Sequence, residues 1–300
     1  MKQTAHPILP WTLTFDPDPH TYTDNEGQKY ESVTTFVGRH FEPFNEQLEA
    51  KRIALRDGRL ELDVLYGWRK KADDAAAFGH RIHEYAEAMV LGSTATNPET
   101  DKERRAFAIV DKAMVSLSQQ YEFLPPEQIV FDPMFLIAGM IDLPARNRTT
   151  GALAILDWKT CESITMDNYR KFARFPISDV PDSKFHHYEL QLSIYAWILT
   201  AHGWSGYPSE GESVELAMIH VPHVGEEPVW RPCAYREESV TEMMKHRLER
   251  VNGEALTTPE STGTRVLSCE DRSCAATRVW TSLEGKTTRK ALKTIREGFR

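Results

Sequence analysis

Cysteine is scarce in this chain: four thiols, Cys161, Cys233, Cys269 and Cys274, among 300 residues. That is too few to staple a chain of this length, so no disulfide framework is expected, and free thiols fit a reducing compartment. Long apolar runs are missing as well, and none approaches the roughly 18 residues needed to span a bilayer. The first residues, Met1-Lys2-Gln3-Thr4-Ala5-His6-Pro7, lack the apolar core of a secretory signal. A cytoplasmic location with no membrane association is the expectation. There is no internal repeat and no low-complexity tract. An excess of positive charge is also lacking, since the net charge is −8 and the pI is near 5.8. This excludes bulk electrostatic adhesion to nucleic acid but not a local groove. Acidic metal sites also add negative charge that divalent ions neutralise only when bound.

What is present is an ordinary globular composition, 41% hydrophobic and 27% charged, long enough for a substantial core. Short strands are expected at Trp11–Phe15, around Tyr22, and at Tyr30–Val37 after the Asp24-Asn25-Glu26-Gly27 turn. Residues 45–71 read as charged helix. Phe78, Ile82, Tyr85, Ala86 and Met89 recur at helical spacing within Asp73–Leu91, and Asp101–Tyr121 forms another helix before Pro125-Pro126. Strands follow at Ile129–Phe131, Phe135–Leu143 and Ala152–Trp158, then a helix at Tyr188–Thr200, a strand at Val214–Val221 and an amphipathic helix at Glu237–Val251. That order predicts an α/β fold with one mixed central sheet flanked by helices.

Two segments carry chemistry. Ile137-Ala138-Gly139-Met140-Ile141-Asp142 and Ile155-Leu156-Asp157-Trp158-Lys159-Thr160 are apolar strands that end on acids. Ending there should expose the acids at the sheet edge, because continuing inward would bury unpaired charge. A turn between Asn147 and Gly151 makes the strands antiparallel neighbours and sets Asp142 across from Asp157. Two carboxylates that close repel unless a cation lies between them. Lys159, two positions beyond Asp157, points to the same face of its strand. Two acids and a lysine at one point suit metal-assisted phosphodiester hydrolysis, in which carboxylates hold Mg²⁺ and the lysine orients the nucleophile or offsets developing charge. Taken alone, Asp-X-Lys also fits an edge hairpin with solvated acids.

Gly79, His83 and Glu87 fall at successive spacings of four, on one helical stripe beside the apolar face. A glycine inside a helix costs about 1 kcal/mol, which suggests close approach of another group. His83 is the candidate metal ligand of the stripe; a partly exposed His–Glu pair on a helix surface is the plainer alternative. Gln191 and Tyr195, also four apart, can hold a phosphate or the lysine, or hydrogen-bond within a core.

In order, Gly-x-x-x-His-x-x-x-Glu, Gly-x-x-Asp, Asp-x-Lys-Thr and Gln-x-x-x-Tyr resemble the RecB-like, Cas4-like branch of the PD-(D/E)XK nuclease superfamily. Tyr30-Glu31-Ser32-Val33-Thr34-Thr35-Phe36 is similar to the Pro-Ser-Val-Thr segment of phage and mitochondrial exonucleases in that branch. Lys184–Tyr195 is similar to a helix of the bacteriophage members. The likeness covers roughly residues 20–250. It implies a restriction-endonuclease-like core, with His83, Asp142, Asp157 and the Trp158 carbonyl as ligands of Mg²⁺ or Mn²⁺. Asp142, Asp157 and Lys159 would be catalytic, and Glu87, Gln191 and Tyr195 supporting. Glu31 departs from the pattern, where proline is common. Some superfamily members carry an iron–sulfur cluster on one cysteine before the core and three after it; that spacing is absent here, so no cluster is expected.

Gly285-Lys286-Thr287-Thr288 imitates the end of a phosphate-binding loop, but Trp280 stands where the loop's first glycine belongs. The same segment reads better as a terminal amphipathic helix whose basic stripe, Lys286, Lys290, Lys293, Arg296 and Arg300, suits a phosphate backbone; a solvated helix face is the alternative. The expectation is a nuclease domain over residues 1–260 with an N-terminal β segment, followed by a basic extension over 261–300 packed on it. The activity implied is a metal-dependent deoxyribonuclease, exonuclease rather than endonuclease, acting on single-stranded DNA or duplex ends in phage recombination, replication or repair. A recombination or single-strand-binding protein would be its partner. The rival reading is a DNA-binding or assembly protein on a degenerate nuclease scaffold.

Overall fold

The computed structural model describes residues 1–7, 9–168, 170–202 and 213–257. The basic stripe, Cys269, Cys274 and the whole of the expected 261–300 extension lie outside them. The chain begins as an antiparallel meander, β1 (Lys2–Ala5), β2 (Thr12–Asp16), β3 (Thr21–Asp24) and β4 (Lys29–Ser32). The short helix α1 (Val33–Gly38) comes next. Residues 33–37 are therefore not strand. Ser32 is the reason: its hydroxyl accepts a hydrogen bond from the Thr35 N–H, capping the first turn of a helix.

Two helices follow, α2 (Glu46–Asp57) and α3 (Glu61–Leu91). Gly58, left-handed at φ +64°, ends the first as a helix C-cap. Helix α3 runs 31 residues, so the predicted Asp73–Leu91 helix is only its second part. After α4 (Asp101–Gln120) come β5 (Tyr121–Phe123), β6 (Gln128–Asp132), β7 (Ile137–Ile141), β8 (Leu143–Asn147) and β9 (Leu153–Lys159). The described elements close with α5 (Lys184–His202), β10 (Val214–His220), β11 (Val229–Cys233) and α6 (Glu237–Thr257). Strands β1, β5, β8 and β11 were not anticipated; each is short, and β1 and β11 alternate too weakly in hydrophobicity to announce themselves.

The expected mixed α/β class is observed, with the strands in two sheets instead of one: β1-β2-β3-β4-β7-β6 and β11-β10-β9-β8-β5. The apolar run expected as a single strand over Phe135–Leu143 divides at Asp142. Before it, β7 pairs with β6 and β4; after it, β8 pairs with β9 and β5. Asp142 is thus the corner at which the chain leaves one sheet for the other. Helix α5 is buried almost all round between the first sheet, β9 and α6, with Leu190, Ile194, Trp197 and Ile198 in one continuous core. A second core joins α4 and the latter part of α3 to β8, β9 and β10. No helix among the described residues is long and apolar enough to cross a membrane.

Candidate active site

Register brings the acids together. Leu143 pairs with Leu156 across β8 and β9, so Asp142 and Asp157, one step further, stand opposite. Ile141 pairs with Gln128 across β7 and β6, which sets Glu127 opposite Asp142 on the other side. Glu127 was not among the predicted residues. Its signal was nonetheless present: it directly precedes a strand whose antiparallel partner ends on Asp142. Glu127 also adopts a left-handed φ of +53°, uncommon outside glycine, and its N–H donates to the Asp142 carbonyl at 3.0 Å. Backbone strain of this kind persists where the surroundings over-determine it.

Helix α3 supplies His83. Its Nδ1 lies 3.4 Å from Asp142 Oδ2 and 3.9 Å from Glu127 Oε1. One ligand atom from each of His83, Glu127 and Asp142 lies within 4.8 Å of the others. The helix can approach this closely because Gly79 has no side chain: a Cβ there would stand 3.1 Å from Thr160 Oγ1. Asp157 stands beside the trio and makes an ion pair with Lys159. It is buried rather than exposed at a sheet edge, at 2% exposure. Continuation of β9 to Lys159 places a cation against it, so the charge is not carried inward unpaired. The Trp158 N–H, between the two, donates to Asp142 Oδ2 at 2.9 Å.

Electrostatics follow from three carboxylates gathered around two basic groups. Burial raises the pKa of Asp157 to about 6, with Asp142 adding to the shift. Asp142 is likewise raised by burial, against the pull of His83 and Lys159. Burial opposes the charging of His83, yet Asp142, Glu127 and Asp157 outweigh it and hold its pKa up at about 9. Lys159 behaves similarly: burial disfavours its charge, and Asp157 and Asp142 restore it. The cluster has more buried negative charge than it neutralises, and its imidazole-plus-carboxylate donor set fits Mn²⁺ well and Mg²⁺ through its oxygens.

Helix α5 closes the site. Gln191 Nε2 donates to the Tyr195 hydroxyl at 3.1 Å, and the Tyr195 ring lies on β7 where Gly139 leaves room. A Cβ at 139 would come within 2.5 Å of that ring. Burial keeps the Tyr195 phenol protonated. Tyr188, one turn earlier, places its ring 4.4 Å from the Lys159 ammonium, a cation–π contact that sequence reading missed. Beyond Lys159 the chain is pinned by β10 and the residues after it. The Val221 N–H donates to the Lys159 carbonyl at 2.8 Å, while His220 and His223 each bond a carbonyl, of Cys161 and Thr160, at 2.7 Å. Glu87 lies on the wall of the cleft, 3.4 Å from Lys2 Nζ. Glu31 takes no part; Arg39 and Arg247 clasp it at 2.6 and 2.8 Å. Above the acids is an open cleft of about 730 Å³, reached by Gly79, His83, Glu87, Glu127, Asp142, Gln191 and Tyr195.

Comparison with known proteins agrees with this geometry. No curated sequence matches the chain. One solved structure it resembles is that of a candidate exonuclease from Eubacterium rectale, 12% identical, covering 65% of this chain and 78% of that one with a TM-score of 0.35; so distant a likeness carries no argument. The family model described as the PD-(D/E)XK nuclease superfamily matches residues 68–279, which include every motif residue of the cleft. The chain belongs to the PD-(D/E)XK nuclease superfamily.

Proposed function

We propose that this protein is a divalent-metal-dependent deoxyribonuclease of the RecB-like, Cas4-like branch, acting as an exonuclease. The observation that carries the reading is the meeting of His83, Glu127 and Asp142 in the lining of one cleft, with the buried Asp157–Lys159 pair beside them. His83, Glu127 and Asp142 would hold Mg²⁺ or Mn²⁺, with Asp157 and the Trp158 carbonyl next to them. Such an ion lowers the pKa of bound water and polarises a phosphoryl oxygen. The chain's own residues do the rest. Lys159, kept charged by its acids and held by Asp157 and Tyr188, faces the scissile phosphate and offsets charge that develops on it. The Trp158 N–H fixes the orientation of Asp142, and Gln191 with Tyr195 steadies the strand from α5. Glu87 supports the site from the cleft wall.

Superfamily membership brings a nucleic-acid substrate; DNA is our assignment, as are a role in phage recombination, replication or repair, a recombination or single-strand-binding partner, and the host cytoplasm as location. We further assign residues 1–260 to one nuclease domain. The basic stripe from Lys286 to Arg300 would then add phosphate contacts.

End-labelled single-stranded and duplex DNA, incubated with Mg²⁺, Mn²⁺ or EDTA and resolved by length, tests the reading. Metal-dependent release of short products from an end supports it. Absence of cleavage with either metal removes it, and cleavage of circular DNA without ends makes the enzyme an endonuclease.

A further inference from the structure

Opposite α3, the N-terminal strands build the second wall of the cleft, and one residue in it is held in a way that packing alone does not require. His20 ends the turn between β2 and β3 with φ at +50°, a left-handed conformation uncommon for a residue with a side chain. Its ring is exposed and lines the cleft, yet it is braced. The ring stands edge-on to Phe15, 5.2 Å between centroids, and to Tyr22 at 6.1 Å. Those two rings are buried and stack on each other at 4.8 Å. The ring nitrogens of His20 have no hydrogen-bond partner among the described residues. Tyr22 connects this wall to the floor, since its phenol lies in the field of Glu127. Lys2, on β1, reaches over the same mouth, 3.4 Å from Glu87 and 4.0 Å from Glu127.

The acids are recessed: the Asp142 side chain is 12% exposed and that of Asp157 2%. A scissile phosphate must therefore descend between His20 and α3. In a duplex that phosphate brings a stacked, paired base and a second strand, which the space between the two walls would have to admit as well. A single strand can turn its base aside and lay it on an aromatic ring, a contact that tolerates any sequence because every base has a π-face. Among the described residues, the facing wall presents Glu84 and Glu87 to the cleft, which repel a backbone laid along it. Stacking has to supply the hold at this point.

We propose that His20, braced by Phe15 and Tyr22, is a base-stacking subsite beside the scissile phosphate, with Lys2 as a phosphate anchor, and that it selects single-stranded DNA or frayed ends. The proposal rests on the nuclease reading above and adds the substrate class. A ring-free residue that accepts a left-handed backbone gives the clean variants, His20→Asn and His20→Gly; His20→Phe keeps a ring.

Fluorescence anisotropy with labelled oligonucleotides in EDTA, where binding is read without turnover, tests it on the full chain. His20→Asn and His20→Gly should weaken single-strand affinity about tenfold, in line with one lost base stack. Blunt-duplex affinity should move less than twofold, and His20→Phe should recover most of the loss. Lys2→Ala should flatten the log–log salt dependence by about 0.7, one single-strand phosphate contact. Unchanged single-strand affinity in both ring-free variants overturns the subsite, as does equal weakening for single strand and duplex. The two readings fail differently. A wild-type protein that cleaves DNA while His20→Asn binds single strands normally removes only the subsite; a wild type that neither binds nor cleaves removes both.

Discussion

The two ends of α3 share one helix and do different work. From Glu61 to about Ala77 the helix packs on α2 around a small core of Ala50, Ala54 and Val64, with Ile53, Leu65 and Trp68 at its edge. Leu62 and Tyr66 there are more than two-thirds exposed. From Phe78 to Leu91 the helix enters the main fold, burying Phe78, Ile82 and Ala86 against α4 and the second sheet. This second part carries Gly79 and His83 into the cleft. Helical periodicity reads both ends alike. What separates them is the sheet beneath: a side chain becomes part of a site where rigid elements from several parts of the chain hold it, and stays a surface residue where they do not.

The largest effect that would sharpen this contrast lies at the buried acid–lysine pair beside the cleft. Asp157→Ala and Lys159→Ala should each lower the cleavage rate at saturating DNA by about a thousandfold or more, consistent with loss of electrostatic stabilisation at the reacting phosphate. Far-UV circular dichroism should show the fold retained. Double alanine substitution of Leu62 and Tyr66 on the other end of the helix should leave that rate within about twofold. A wild-type rate in either the Asp157 or the Lys159 variant would erase the distinction.

Stability should divide the same way. Ile82 is fully buried, and Ile82→Ala should cost about 2–5 kcal/mol through lost burial and a cavity. Leu62→Ala, on an exposed face, should fall within about 0.5 kcal/mol. Urea denaturation of the two variants reads the difference, and equal losses would show that the first part of α3 is as integral as the second.

Much of this was legible because it is local. The helical stripe of Gly79, His83 and Glu87, the strands ending near Asp142 and Asp157, and the alternation that puts Lys159 beside Asp157 all follow from periodicities of 3.6 and 2. The division of the sheet at Asp142 was not, because an apolar run looks the same whether it stays in one sheet or crosses to another. Glu127 escaped for a related reason: its role comes from pairing with β7, and its left-handed backbone leaves no mark on a single sequence. His220 and His223 are hidden further still, since they reach the residues after Lys159 only through the parallel pairing of β9 with β10. Tyr188 was visible as part of the α5 helix, but nothing in the sequence says that a lysine from β9 lies over its ring.

A smaller effect, confined to the floor, is the pH dependence of the metal-free protein. Asp157 binds its proton more tightly folded, at about 6, than at the ordinary 3.8. Folding is therefore favoured by its protonated form, and that contribution fades as pH rises from about 4 through 6. His83, held at about 9 against an ordinary 6.5, contributes stability fully present below 6.5 and lost as pH climbs through 9. Both losses run the same way, so thermal melts in EDTA should show falling stability from about pH 5 to 9, by a few kcal/mol at most. Asp157→Asn should flatten the acid side of that slope and His83→Gln the alkaline side. Stability that rises over the range would contradict the charge balance assigned to the cleft.

The central claim is that His83, Glu127 and Asp142 form a site for a divalent ion, and calorimetric titration of Mn²⁺ into the metal-free protein tests it most directly. The wild type should bind with an affinity that His83→Ala and Glu127→Gln each reduce at least tenfold, while the Leu62 and Tyr66 double variant binds like the wild type. Equal Mn²⁺ affinity in wild type, His83→Ala and Glu127→Gln would show that these three residues do not hold the metal.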